Sequence, residues 1–111
     1  IKNNMLNIVI SDNAGGIPKK IIQKEKNLKK ITSKIAKAAQ NGANLILLQE
    51  LHNSIYFPYI EDVDFFDLAE TIPGPSTKYF GSLAKKFKVV IVISLFEERA
   101  NGLYHNSAVV L

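Results

Sequence analysis

The pattern of apolar residues is strongest at Leu45–Leu48, where four large aliphatic side chains follow one another. Gly42 lies just before this run, and the polar residues Gln49 and Glu50 follow it. A short, uninterrupted apolar run of this kind predicts a strand that is buried on both faces. We therefore expect residues 45–49 to form a central strand of a layered sheet.

Helical and strand periodicities alternate along the rest of the chain. Leu28, Ile31, Ile35 and Ala38 recur at helical spacing, which predicts a long helix over residues 18–41 that ends at Gly42. We predict a second helix from Ser76, as its N-cap, with an apolar face that includes Phe80 and Phe87. Strands are predicted at residues 5–10, 89–96 and 107–111, loops or turns at 11–16 and 99–102, and one helical turn near 64–68 in the long connection 50–75.

This order of elements predicts an α/β layered domain, with no internal repeat. Two helices can cover one face of four apolar strands, or parts of both faces. The last predicted strand, residues 107–111, is apolar and has no polar ending. We therefore interpret residues 1–111 as the N-terminal part of a single larger domain.

Composition narrows the possible functions. The 111 residues contain no cysteine, which excludes disulfides, thiolate metal sites and thiol catalysis within them. No apolar run is long enough to cross a bilayer, and we expect a soluble, cytoplasmic protein without membrane partners. The net charge of +4 comes largely from lysines on the first helix, eight of thirteen lying within residues 19–37. Their outward positions predict a solvated helix face rather than a nucleic-acid site.

Glu50 is the first candidate for chemistry. It follows the central strand at its carboxyl end, where open α/β sheets bind their ligands, and burial there would prepare the carboxylate for proton transfer. A carboxylate in this place can equally cap a loop or pair with a lysine.

Several segments resemble the carbon–nitrogen hydrolase (nitrilase) superfamily, in particular its N-carbamoylputrescine amidohydrolase branch. They are residues 41–51 (NGANLILLQEL), 66–70 (FDLAE), 72–77 (IPGPST), 94–97 (SLFE) and 102–110 (GLYHNSAVV). Ser11-Asp12, where the family usually has glutamine, and Pro58, where relatives often have cysteine, depart from the pattern. The resemblance implies the N-terminal portion of a four-layer α-β-β-α sandwich.

The same resemblance implies an amidohydrolase that cleaves a linear carbamoyl amide without a cofactor or metal. Its mechanism uses a glutamate as base, a lysine that stabilises the tetrahedral intermediate, and a cysteine nucleophile. The glutamate corresponds to Glu50, and we expect the other two groups downstream of Leu111. The 111 residues alone are then predicted to be inactive, and the resemblance implies a homo-oligomer when the chain is complete.

The connection after Glu50 offers candidates for substrate binding. Five acids lie within ten residues, at Glu61, Asp62, Asp64, Asp67 and Glu70. Such acids, Asp62 among them, could receive the ammonium tail of carbamoylputrescine, and Tyr56 could line the pocket. The alternatives are solvation of a loop for the acids and simple packing for the tyrosine.

The remaining polar candidates are assigned structural roles. His52 and His105 are predicted to be loop or supporting residues rather than metal ligands, and Asn106 and Ser107 to satisfy backbone groups at a strand start. Two other functions stay open: a non-catalytic relative that serves as an interaction module, and a basic nucleic-acid-binding domain that rests on the lysine helix alone.

Overall fold

The structure is a computed structural model that describes residues 5–8, 17–54 and 56–111. The predictions for residues 9–16, which include the end of the first strand and the loop after it, lie outside the described residues. The elements are β1 (Met5–Ile8), α1 (Ile17–Gln40), β2 (Leu45–Leu48), a 3₁₀-helix (Val63–Leu68), α2 (Pro75–Phe87), β3 (Val90–Ala100) and β4 (Leu103–Val110). The predicted α/β class is confirmed.

The four strands form one sheet in the order β1-β2-β3-β4. The first three strands are parallel, and β4 is antiparallel to β3. In this register Ile46 of β2 lies opposite Ile91 of β3, and Val92 lies opposite Val110 of β4. The carboxyl ends of the parallel strands therefore meet at one edge, which is the edge that Glu50 follows.

The two helices cover one face of the sheet. The buried core joins residues of α1, α2, β2 and β3, among them Ile31, Ile35, Ile46, Phe80, Leu83, Ile91 and Ile93. Side chains alternate between the two faces of a strand, so the neighbours of these core residues point the other way. On that opposite face Leu45, Leu47 and Val92 are half-buried, whereas Val90 and Val110 are exposed by 42% and 70%.

A second, aromatic cluster holds the long connection onto the sheet. Leu51, Phe57 and Phe65 are buried together, with Leu68 and Phe96 packed against them. The rings of Phe57 and Phe65 stack at 5.0 Å between centroids, and Phe57 meets Phe96 of β3 at 5.1 Å. The connection between β2 and α2 is thus anchored by aromatic packing, although its one regular element is the 3₁₀-helix.

Several predicted boundaries are wrong. The antiparallel pair is longer than predicted, because β3 continues to Ala100 and β4 already begins at Leu103. Only Asn101 and Gly102 separate the two strands, with Gly102 at a φ of 73°. A glycine suits such a positive φ, which allows the reversal to be this short. Smaller shifts affect the ends of α1 and β2.

The predicted N-cap at Ser76 is also wrong, because α2 begins at Pro75 and Gly74 is its N-cap. The Thr77 hydroxyl accepts a hydrogen bond from the Gly74 N–H at 2.8 Å, which closes the first turn. Proline is well tolerated at the first helical position, where its missing N–H has no partner in any case. A Cβ at Gly74 would lie 2.2 Å from the Thr71 carbonyl oxygen, so only glycine fits.

Candidate active site at the carboxyl end of β2

Glu50 lies two residues beyond the end of β2, in the turn that leads into the long connection. The sequence placed it at this edge of the sheet, and the structure agrees. Its predicted burial is wrong for the described part of the chain, where the Glu50 side chain is exposed.

A chain of hydrogen bonds holds Glu50 against the sheet. Asn106 Nδ2 on β4 donates to Glu50 Oε1 at 2.5 Å. Asn106 Oδ1 accepts from the hydroxyl of Ser94 on β3 at 3.2 Å, and Ser94 Oγ accepts from the Leu51 N–H at 3.2 Å. No donor among the described residues reaches the other carboxylate oxygen, Oε2. Glu50 thus has one anchored oxygen and one free one.

The backbone around Leu51 explains why Glu50 faces this network. Leu51 has a φ of 48°, in the left-handed region that non-glycine residues rarely adopt. Its side chain is buried in the aromatic cluster while its N–H binds Ser94. The sharp change of direction after Glu50 is therefore fixed by packing on one side and by a hydrogen bond on the other.

A second carboxylate, Glu70, lies in a polar cluster that joins the two helices to the loop after Glu50, residues 51–54, which we call the site loop. Lys24 Nζ of α1 contacts Glu70 Oε1 at 2.5 Å. The Ser76 N–H donates to Glu70 Oε2 at 2.8 Å, and the Ser76 hydroxyl donates to Glu70 Oε1 at 2.8 Å. The hydroxyl oxygen also accepts a hydrogen bond from Asn53 Nδ2 in the loop after Glu50.

The surroundings of Glu70 favour its ionised form. Burial alone would raise the pKa of Glu70, but the hydrogen bonds from Lys24 and from Ser76 outweigh it, and the pKa lies below its ordinary value. Its backbone also pairs with β3, since the Glu70 N–H donates to the Phe96 carbonyl at 2.9 Å. Glu70 therefore ties the connection to α1, α2 and β3 at once.

His52 is buried beside this cluster. Its ring meets Phe80 of α2 edge-on, with 4.9 Å between centroids. Burial lowers its pKa to about 4, although Glu70 nearby acts in the opposite direction. At neutral pH the ring is uncharged and belongs to the packing between the site loop and α2.

His105 on β4 lies near a carboxylate that the sequence did not associate with it. Its Nδ1 is 4.0 Å from Oε2 of Glu97, which also accepts a hydrogen bond from Ser107. No group of three or more potential metal-ligating side chains occurs in the part of the chain that the structure describes. That both histidines are supporting residues stays a prediction.

The two predicted substrate-binding residues lie in the connection and make no hydrogen bond to Glu50 within the described ranges. Tyr56 is exposed and stacks on Tyr59 at 6.3 Å between centroids. Asp62 Oδ1 accepts the Asp64 N–H at 2.9 Å and so caps the 3₁₀-helix. Asp62 also lines an open cavity of about 470 Å³ whose walls include the rings of Phe57, Phe66 and Phe96.

The run of five acids is not one patch. Glu61, Asp62, Asp64 and Asp67 are exposed, whereas the Glu70 side chain is 8% exposed and is paired with Lys24. Lys24 is correspondingly an exception among the outward lysines of α1. Composition alone gave no sign of this difference, because it depends on a contact between residues far apart in the sequence.

The roles predicted for Asn106 and Ser107 are wrong, since both side chains bind carboxylates rather than backbone groups. Asparagine is a poor strand former, so Asn106 close to the apolar run at residues 108–111 was the available signal. Ser94, the one polar residue in the apolar run at residues 89–96, carried the same signal.

Residues 14–111 match the family model described as carbon-nitrogen hydrolase. The chain belongs to the carbon-nitrogen hydrolase family. It is 41% identical over 85 residues to citrullinase from Francisella tularensis, covering 76% of this chain and 30% of the relative. It is 40% identical over 77 residues to N-carbamoylputrescine amidase from Oryza sativa, covering 68% of this chain and 26% of the relative. The chain thus spans less than a third of the length of these curated relatives.

Two solved structures share the fold. The crystal structure of a carbon-nitrogen hydrolase from Helicobacter pylori G27 matches with a TM-score of 0.74 and 42% identity, over 80% of this chain and 31% of that one. An N-terminal amidase matches with a TM-score of 0.72 over 96% of this chain and 24% of that one; at 23% identity it shows the fold alone. The family and the portion of a four-layer α-β-β-α sandwich inferred from the sequence are confirmed. No helix in the described residues has the length and apolar character that a membrane span requires.

Proposed function

We propose that the protein carrying this chain is an amidohydrolase that cleaves a linear carbamoyl amide, with N-carbamoylputrescine as the first candidate substrate and Glu50 as the catalytic base. The observation that supports this most is the state of Glu50 at the carboxyl end of β2, with Oε1 anchored by Asn106 and Oε2 without a donor among the described residues. A base must offer an oxygen within hydrogen-bond reach of the proton that it takes. Membership of the family supplies the reaction class.

In the proposed reaction Glu50 takes the proton of a cysteine thiol, and the thiolate attacks the carbamoyl carbon. Ammonia leaves with the proton that Glu50 returns, and water hydrolyses the acyl-enzyme in the same way. The carbamic acid that is released loses carbon dioxide to give the free amine. These 111 residues contain no cysteine, so they are proposed to be inactive alone, with the nucleophile and the stabilising lysine supplied by other residues.

The connection supplies a candidate subsite for the far end of the substrate. Asp62 stands beside aromatic rings in the open cavity, and Tyr56 precedes that cavity in the chain. A carboxylate next to aromatic faces suits an alkylammonium tail, which both groups attract. We propose that Asp62 and Tyr56 bind this end of the substrate. A cytoplasmic homo-oligomer without nucleic-acid partners stays a prediction that fractionation, sedimentation and filter binding would test.

The experiment is to compare the complete natural protein with its Glu50→Gln variant, measuring ammonia release from N-carbamoylputrescine and from citrulline. Glu25→Gln, at an exposed position of α1, is the matched control. We expect Glu50→Gln to lower kcat by a factor of about 10²–10⁴, since it removes the base and keeps the shape. Turnover close to that of the unmodified protein would refute the role of Glu50.

Two further outcomes bear on the proposal. Faster turnover of citrulline would keep the reaction class and replace the substrate. If the unmodified protein releases no ammonia from either compound and shows no reactive thiol, the amidohydrolase proposal fails in favour of a non-catalytic relative.

A further inference from the structure

We infer that Asn106 and Ser94 position the catalytic base, holding Glu50 Oε1 through a directed chain of hydrogen bonds so that Oε2 faces the reacting thiol. The inference rests on the proposed function, because it assigns these residues a role only if Glu50 is the base. Neither residue is proposed to touch the substrate.

The partners of Asn106 determine which way its amide points. Its two ends are occupied by different groups, Glu50 Oε1 at 2.5 Å and Ser94 Oγ at 3.2 Å. A carboxylate oxygen can only accept, so the amide must present Nδ2 to Glu50 and Oδ1 to the hydroxyl. The reversed amide would place two acceptor oxygens against each other.

The Ser94 hydroxyl makes the chain directional. It has one hydrogen, and its oxygen already accepts the Leu51 N–H at 3.2 Å. The hydrogen is therefore free to go to Asn106 Oδ1. In order, the Leu51 N–H binds Ser94, Ser94 binds Asn106, and Asn106 binds Glu50. Glu50 is thus held by β4 through Asn106, and the next residue, Leu51, is held by β3 through Ser94.

The sheet brings these two side chains together on the face away from the helices. Asn106 lies opposite Phe96, and Ser94 is two residues from Phe96 on β3, so all three point to the same face. Serine and asparagine are weaker strand formers than the valine and isoleucine at residues 90–93 of β3. Their hydrogen bonds toward Glu50 give a physical reason for two polar residues at these positions.

The chemistry of the anchor suits a base. A neutral amide orients a carboxylate without a full positive charge beside it, and an opposite charge would favour the ionised form more strongly. Anchoring one oxygen also limits rotation of the carboxylate, which keeps the other oxygen in one place. Small displacements of a reacting group reduce the rate strongly.

The test uses steady-state kinetics of the complete natural protein with N-carbamoylputrescine. The variants are Asn106→Ala, the isosteric Asn106→Asp, Ser94→Ala and Ser94→Thr, with Ser107→Ala on the opposite face of β4 as the matched control. We expect both Asn106 variants to lower kcat by about 10- to 100-fold while KM stays within about twofold. Ser94→Ala should lower kcat by about 3- to 10-fold, and Ser94→Thr, which keeps the hydroxyl, should restore most of it.

The double variant Ser94→Ala/Asn106→Ala distinguishes a chain from two separate effects. If Ser94 acts through Asn106, the double variant should be no slower than Asn106→Ala alone. A multiplied loss would overturn the chain. A normal kcat in Asn106→Asp, or a raised KM with unchanged kcat, would overturn the positioning role.

Glu50→Gln, measured in parallel, distinguishes a failure of the positioning role from a failure of the proposed function. A strongly impaired Glu50→Gln with unimpaired Asn106 variants refutes only the positioning role. An unimpaired Glu50→Gln refutes the proposed function itself. If Asn106→Ala does not fold, Asn106→Asp carries the test, because it changes only the donor and the charge.

Discussion

Glu50 and Glu70 are two carboxylates near the same edge of the sheet, and their surroundings are opposite. Glu70 is almost enclosed and accepts hydrogen bonds from the Lys24 ammonium and from the N–H and hydroxyl of Ser76. Glu50 is exposed, and within residues 5–8, 17–54 and 56–111 it accepts a single hydrogen bond, from the Asn106 amide. A carboxylate whose acceptor positions are filled stabilises the fold, whereas one with a free oxygen can exchange a proton with another molecule.

The largest expected effect is the loss of turnover in Glu50→Gln, and it should come without a loss of stability. Besides its loss of turnover, Glu50→Gln should leave the free energy of unfolding within about 0.5 kcal/mol of the unmodified value, because Glu50 is exposed among the described residues and the partner it has there is a neutral amide. Urea unfolding of the complete protein measures this. A large drop in stability would mean that Glu50 is a structural residue like Glu70.

Acid should destabilise the folded protein through His52 and Glu70, whose pKa values are both lowered by folding. The pKa of His52 is about 4 in the folded protein and 6.5 in the unfolded chain, so below pH 6.5 the unfolded state binds the extra proton. Stability therefore falls as the pH drops from 6.5 to 4, by on the order of 3 kcal/mol. Glu70, with its lowered pKa, adds a further loss below its unfolded value of 4.5. Urea unfolding should show that the free energy of unfolding of His52→Leu changes less between pH 6.5 and 4.5 than that of the unmodified protein. An equal change in both proteins would exclude His52 as the cause.

Glu70→Gln should lower the free energy of unfolding by about 2 kcal/mol, because Lys24 loses its opposite charge and Ser76 a charged acceptor. The Lys24 side chain is 32% exposed, so solvent reduces the effect. Glu61→Gln, in the exposed part of the same connection, is the control and should unfold like the unmodified protein. If the two variants have the same free energy of unfolding, Glu70 does not stabilise the fold through Lys24 and Ser76.

The smallest effect concerns Asp62, where two substitutions separate capping from charge. Asn is as good an N-cap as Asp, so Asp62→Asn should keep the stability and raise KM for N-carbamoylputrescine a few-fold, through the lost charge. Asp62→Ala should in addition lower the free energy of unfolding by about 0.5–1 kcal/mol. An unchanged KM in both variants would remove Asp62 from the substrate site.

The helices, the strands and the position of Glu50 after β2 were predicted from local sequence patterns. The helical spacing of Ile31 and Ile35 and the apolar run of β2 depend only on neighbours in sequence, and both predictions are confirmed. The length of the β3–β4 pair was missed, because polar residues such as Glu97 and His105 there pair through the backbone while their side chains remain partly exposed.

The partners of the two carboxylates were not predictable in the same way. The bond between Asn106 and Glu50 joins residues 56 positions apart, and that between Lys24 and Glu70 joins residues 46 apart. Such contacts follow from sheet register and helix packing, which no local spacing encodes. The sequence could therefore identify Glu50 as a candidate but not the groups that hold it.

The antiparallel pair of β3 and β4 also has a consequence for the order in which the molecule assembles. Ser94 and Asn106 are 12 residues apart and meet across a two-residue reversal, whereas Glu50 must arrive from 56 residues away. Contacts between near neighbours in sequence form at a lower entropic cost than distant ones. We expect the hairpin to form early during folding and to present the amide of Asn106 before Glu50 reaches it. Pulsed hydrogen exchange should then protect the amides of Leu95 and Ser107 before those of Leu47 and Leu48, and the reverse order would show that the parallel strands lead.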